Sequence, residues 1–260
     1  MIRGDIMKIT FTQYINNPLG DKSSVITNRG MYQKMYREKL DKILLREGGK
    51  VEYSLYASKE NYYIHFKIPS EVVDKFYYDT IIEFYPPDAI KSKSDSLRDY
   101  YVKFYSNDPA FVYTFAHAFI KNGLFIEDLE SKMSKEAIRN VAKEKNPKNL
   151  VGYVKSLFFA YLLINDYGLF SKTLYNHTAE KYNKSKLLKN IYHADDTIKA
   201  RQEAEEKQRK KQKREKSNSE RFLNREDIKT KNILPTKGIS KTKIVGKVST
   251  VKRVGKSKRI

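Results

Sequence analysis

Residues 51–68 read VEYSLYASKENYYIHFKI, and their reading decides the fold. VEYSLYA (51–57) and NYYIHFKI (61–68) are rich in Val, Tyr, Ile and Phe, which suit a pleated, half-buried surface. Only Ser58-Lys59-Glu60 parts them, so they predict a β-hairpin, although the Asn-Gly of the tightest turns is missing. Downstream, FYYDTIIEFY (76–85) and YYVKFY (100–105) are two more β-rich runs, parted by a polar loop containing Pro86-Pro87. An antiparallel sheet is the simplest reading. Upstream, KITFTQYI (8–15) alternates well enough for a further strand. Within 28–47, Met31, Met35, Leu40, Ile43 and Leu44 fall at helical spacing, and Gly48-Gly49 stops that helix.

After Tyr105 the pattern becomes helical. Asp108-Pro109 supplies an N-cap and a proline at the first helical position. Phe111, Phe115 and Phe119 then recur every fourth residue, which predicts a buried stripe against a later helix. A second helix is expected from Glu127 to about Lys143. Asn146-Pro147 repeats the cap-plus-proline letters and predicts a third, ending before Gly168. Strands followed by helices make an α+β fold: an N-terminal antiparallel sheet with helices, then a helical subdomain.

The core signal fades near Ala194. In IKARQEAEEKQRKKQKREK (198–216) there is no apolar stripe. Glu203–Lys207, Glu205–Arg209 and Glu206–Lys210 are Glu-first pairs at i, i+4, which support an isolated helix. The expected organisation is a globular body over 1–195, a charged, solvated helical linker over 196–228, and a disordered basic tail over 229–260. The body is expected to fold without the tail, even in a chain ending at Tyr192.

Charge follows the same division. The chain has 260 residues and a formal net charge of +21. Residues 1–196 carry 30 Lys/Arg against 24 Asp/Glu, 197–228 carry 11 against 7, and 229–260 carry 11 against none. Cationic charge concentrated where no core can form implies an acidic partner. There is no Cys, hence no disulfide framework, thiolate metal site or cysteine nucleophile. The N-terminal residues lack an apolar run of signal-peptide length. The strongest apolar run, Leu157 to Ile164, is far shorter than the roughly 20 residues that span a bilayer. No membrane contact is expected, and the locations that fit are a virion or a host cytoplasm.

No motif points to a reaction. His65 sits in a strand pattern and His117 among apolar helical residues, each without a second ligand at metal spacing. His193-Ala-Asp195-Asp196 reads as the start of the charged helix, where carboxylates favour the positive end of the dipole. GDKSS (20–24) lacks the first glycine and the spacing of a phosphate loop. Glu127, Asp128 and Glu130 read as a solvated helix start. No catalytic residue, metal or cofactor is expected. The tyrosines of the sheet, among them Tyr53, Tyr56, Tyr63, Tyr78 and Tyr105, suit cross-strand packing, a protein-binding face or base stacking.

The last nineteen residues, TKIVGKVSTVKRVGKSKRI, hold seven cations and no acid. The cations are Lys243, Lys247, Lys252, Arg253, Lys256, Lys258 and Arg259, and they are the candidate contacts to nucleic acid or a protein partner. Val245, Val248, Val251 and Val254 recur every third residue. That period fits neither strand nor helix, and a polyelectrolyte tail has no use for valines. They are the candidate anchors in a partner's groove.

NNPLGDKSSVITNRGMYQKMYREKLDKILL (16–45) and FYSNDPAFVYTFAHAFIKNGLFIEDLESKMSKEAI (104–138) resemble uncharacterised proteins of tailed bacteriophages of low-GC hosts. The resemblance spans about residues 7–175 and leaves out the basic tail. It implies a phage origin and a virion component, with no catalytic residues to carry over. The resulting expectation is a non-enzymatic phage structural protein, part of an oligomeric assembly, that binds nucleic acid, other virion proteins, or both. The alternative is a DNA- or RNA-binding accessory protein acting outside the particle.

Overall fold

The computed structural model of the chain describes residues 7–16, 29–87 and 95–231. The fold is α+β, built on a five-stranded sheet. The elements begin with α1 (Phe11–Asn16), α2 (Arg29–Arg46), β1 (Tyr53–Ala57), β2 (Tyr62–Pro69), β3 (Tyr77–Tyr85) and β4 (Tyr101–Ser106). There follow α3 (Ala116–Lys121), α4 (Lys135–Arg139), α5 (Lys155–Asp166), α6 (Lys172–Thr178), β5 (Glu180–Lys181), α7 (Lys184–Asn190) and α8 (Ala194–Lys231). The strand order is β4-β3-β2-β1-β5. The first four strands pair antiparallel, as the sequence leads one to expect, and the two-residue β5 adds a parallel edge beside β1.

Alternation along each strand separates two faces. One carries Ile64, Phe66, Ile82, Phe84, Val102 and Phe104, none with any measurable exposure. The register aligns them, with Ile82 opposite both Ile64 and Phe104. Helix α5 covers this face and is apolar around most of its circumference, because it also meets α2, where Tyr36 stacks on Phe158 at 4.9 Å. Helix α1 fills the remaining space with Phe11, whose ring lies 5.1 Å from Phe104 and 5.2 Å from Tyr161.

Four local expectations change. Residues 11–16 are helix, not strand. Thr10 Oγ1 accepts from the Gln13 amide at 3.1 Å and Gln13 Oε1 accepts from the Thr10 amide at 2.8 Å. That reciprocal cap starts a helix and buries Phe11, Tyr14 and Ile15 on one side. The phenylalanine stripe is re-registered by a π-helical turn over Phe111–Phe115. One inserted residue makes positions 111 and 119 equivalent to seven apart in an α-helix, so they share a face and their rings meet at 5.0 Å. Val112 and Ala116 complete the buried stripe, and Phe115 turns to a half-buried site against Gly152. The expected second helix is a 3₁₀ segment, Glu127–Lys132, followed by the short α4. Asn146-Pro147 begins no helix: the Asn146 side chain bonds Leu150 as both donor and acceptor, closing a loop that turns through Asn149 at φ 52°. Helix α5 starts only at Lys155.

The helices after β4 belong to the same buried core as the sheet, not to a separate subdomain. The described chain divides into two units after Lys211. The first therefore extends past the expected boundary at 195. Thr197 and Ile198, each 5% exposed, belong to its interior.

Candidate functional site

The second face of the sheet is chemically unlike the first. Along it lie Tyr63, His65 and Lys67 of β2, Asp79, Ile81 and Glu83 of β3, and Lys103 and Tyr105 of β4. His65-x-Lys67 alternates with Ile64, Phe66 and Ile68, so the sequence itself holds the sign of a polar second face.

Asp79, 2% exposed, is the hub of that face. Its Oδ1 lies 2.7 Å from His65 Nε2 and accepts from Lys67 Nζ at 2.5 Å. Its Oδ2 accepts from Asn107 Nδ2 at 3.0 Å and from the Tyr192 amide at 3.3 Å. Asn107 Nδ2 also donates to Thr197 Oγ1 at 3.0 Å, and Lys67 Nζ donates to the Asn190 carbonyl at 3.2 Å. One carboxylate thus ties β2, β3 and the residue that follows β4 to the α7–α8 junction. Burial alone would raise its pKa; the bonds and charges of His65 and Lys67 outweigh burial and hold it below the ordinary value.

Glu83 behaves in the opposite way. Burial pushes its pKa up, against the bonds it accepts from Tyr63 and Asn61 and the attraction of Lys103. Above it, Tyr182 stacks on Tyr63 with centroids 4.1 Å apart and donates to Asp128 at 2.8 Å. Beside this cover opens a cleft of about 520 Å³, lined by Glu127, Asp128, Lys135, Arg139, Lys184 and His193 among others. Its charges balance: Asp128 holds Lys184 at 2.8 Å, and Lys103 lies 3.8 Å from Glu127.

The sequence-derived candidates fall as follows. His65 is occupied by Asp79, and His117 Nδ1 lies 2.9 Å from Asn149 Oδ1. Among the described residues no group of three or more His, Asp or Glu is placed to hold a metal. Tyr56, Tyr63, Tyr78 and Tyr105 are buried in the sheet, as is Tyr100 just before β4, while Tyr62, Tyr85 and Tyr101 are half-buried. Tyr53 and Tyr77 are the exposed exceptions, at 39% and 43%. The tail candidates, Lys243, Lys247, Lys252, Arg253, Lys256, Lys258 and Arg259 with Val245, Val248, Val251 and Val254, lie outside the described residues.

Helix α8 is the described cationic element. Glu205 joins Arg201 at 3.7 Å and Arg209 at 2.7 Å, and Glu206 joins Lys210 at 2.6 Å, all at i, i+4. From Arg209 to Ser219 every residue is exposed. Among the described residues no helix is long and apolar enough to cross a membrane. Compared with protein-family models, with curated proteins and with solved structures, the chain matches none.

Proposed function

We propose that this chain is a non-enzymatic bacteriophage virion or assembly component, in which a folded α+β body presents a basic C-terminal arm to nucleic acid or to a neighbouring subunit. The observation that carries this reading is the segregation of charge. Residues 1–196 hold 30 Lys/Arg against 24 Asp/Glu, whereas 197–260 hold 22 against 7 in a third of the length. The body neutralises its own charges in local pairs, such as Arg37–Asp166 and Lys155–Glu71. The arm has far too few acids to do so. Its affinity for a polyanion comes from the counterions its cations release. The phage origin rests on the likeness of residues 16–45 and 104–138.

Mass spectrometry of purified particles of the parent phage tests the assignment. A virion component appears at fixed copy number. Abundance in infected cells with absence from particles would overturn it in favour of an accessory protein acting outside the particle.

A further inference from the structure

We infer that the cationic face of α8 between Lys207 and Lys216 is a binding surface for double-stranded nucleic acid, which it grips through the phosphates. This rests on the arm being a polyanion-binding element; it adds where on the arm the partner sits and which form the partner takes.

Seven of the ten residues from 207 to 216 are Lys or Arg, and the only acid is Glu215. At about 100° per residue the cations sweep roughly 220° of the helix circumference. The remaining sector carries Gln208, Gln212 and Glu215. The cations are therefore sorted to one broad face of the helix.

Shape selects the duplex. An α-helix with side chains is about 10–12 Å across, and the major groove of B-form DNA is about 12 Å wide. A cationic arc of roughly 220° reaches both phosphate walls of such a groove at once. Along the axis, ten helical residues span about 15 Å, and the duplex presents a negative charge every ~1.7 Å.

Chemistry excludes two competitors. Binding of single strands relies on aromatic platforms for the bases, and no aromatic residue lies between Ala194 and Ser219. Of the sheet tyrosines that would substitute, only Tyr53 and Tyr77 are exposed. An anionic bilayer binds helices whose opposite face is apolar; here that sector is Gln, Gln and Glu. Phosphate contacts carry no sequence information, so unrelated duplexes bind alike.

The test uses the full chain, a short labelled DNA duplex and one of its single strands, read by fluorescence anisotropy over a salt series. One variant combines Lys207→Gln, Lys210→Gln, Lys213→Gln and Arg214→Gln. Gln ranks beside Lys and Arg in helix propensity, so helicity is retained, and far-UV circular dichroism checks it. A companion exchanges the same positions Lys→Arg and Arg→Lys and is expected to bind like wild type. A third protein replaces the seven cations of 243–259 by Gln. The expected result is that the helix variant loses about tenfold or more in duplex affinity and about 3 units of log–log salt slope. The third protein keeps a preference for duplex over single strand. Wild-type binding by the helix variant would overturn the inference and leave the arm's affinity to the terminal ribbon. So would equal affinity for the single strand, or phosphatidylserine vesicles losing affinity to the helix variant while DNA does not. If the wild-type chain binds no DNA even at low salt, the nucleic-acid reading of the arm falls with it.

Discussion

Asp79 and Glu83 share one face of β3, on either side of Ile81, and their isosteric amides are expected to act in opposite directions. The two Asp79 oxygens serve four donors: His65, Lys67, Asn107 and the Tyr192 amide. An asparagine offers one oxygen, and its amide group then faces two donors whichever way it turns. A hydrogen bond to a charged group contributes about 1.5–3 kcal/mol net, and breaking a buried ion pair costs about 3–5 kcal/mol. Asp79→Asn is therefore expected to lose about 3–5 kcal/mol near neutral pH, by the buried-pair figure. In a body of this size that lowers the melting temperature by on the order of 10 °C. The pH dependence fixes the sign. Because the folded pKa of Asp79 is depressed, its contribution is present above the unfolded value of about 3.9. It is lost as pH falls through the folded value, so the gap between wild type and Asn narrows in acid. Glu83 has a raised folded pKa; ionising it in the fold costs stability as pH rises from about 4.3 through that value. A glutamine still accepts from Tyr63 and Asn61. Glu83→Gln is thus expected to equal or exceed wild type near neutral pH and to converge with it in acid. Urea unfolding of the three proteins at about pH 7 and about pH 3 decides. An Asp79→Asn gap below about 1 kcal/mol near neutral pH, or one unchanged in acid, would refute the account of this face, since a broken buried pair costs several times that.

Three further outcomes are expected. A chain ending at Tyr192 loses buried Ala194, Thr197 and Ile198, and burial of a side chain like Ile198 is worth about 1.5–3 kcal/mol; it should melt well below a chain ending at Lys211, and equal melting would show that the start of α8 is not part of the core. A methyl group at Gly152 would stand 2.5 Å from Phe115 Cε1, so Gly152→Ala should cost about 1–3 kcal/mol by overpacking, recovered in part by adding Phe115→Leu; denaturant midpoints report both. Val245, Val248, Val251 and Val254 changed together to Ser should leave DNA affinity and its salt slope unchanged and reduce incorporation into particles; normal incorporation would make the ribbon a plain electrostatic tether.

The sheet was legible because its strands are covered on both sides, so FYYDTIIEFY and NYYIHFKI read as nearly continuous apolar and aromatic runs. Helix α2 was legible from its spacing and from Gly48-Gly49, which take φ of 80° and 86° at its end. Helix α1 was missed although Thr10-x-x-Gln13 announces it, because alternation in KITFTQYI dominated over the cap. The π-helical turn left no mark in the letters; whether one extra residue is inserted depends on how Phe111 and Phe119 meet the sheet. Asn146-Pro147 has the letters of a cap, but the Asn side chain found Leu150 first. Asp79, Asn107 and Thr197 come from distant points of the chain, and spacing along a sequence cannot show that they meet. The cations of α8 were visible from composition, and their sorting to one arc follows from helical spacing once 207–216 is helix.

The contrast between the two sheet faces has a consequence for the order of synthesis. The apolar face is closed by α5, complete by residue 166, while the polar face waits for the segment around residues 180–198. During that interval a nascent chain must hold a half-covered sheet in water. The open side carries Tyr63, Ile81 and Tyr105, but beside them His65, Lys67, Asp79, Glu83 and Lys103 present groups that water solvates, and His65 and Lys67 pair with Asp79. An Ile and Phe lining there would instead offer each unfinished chain to its neighbours as an aggregation surface. The polar face thus lets the fold be closed late and from the C-terminal side.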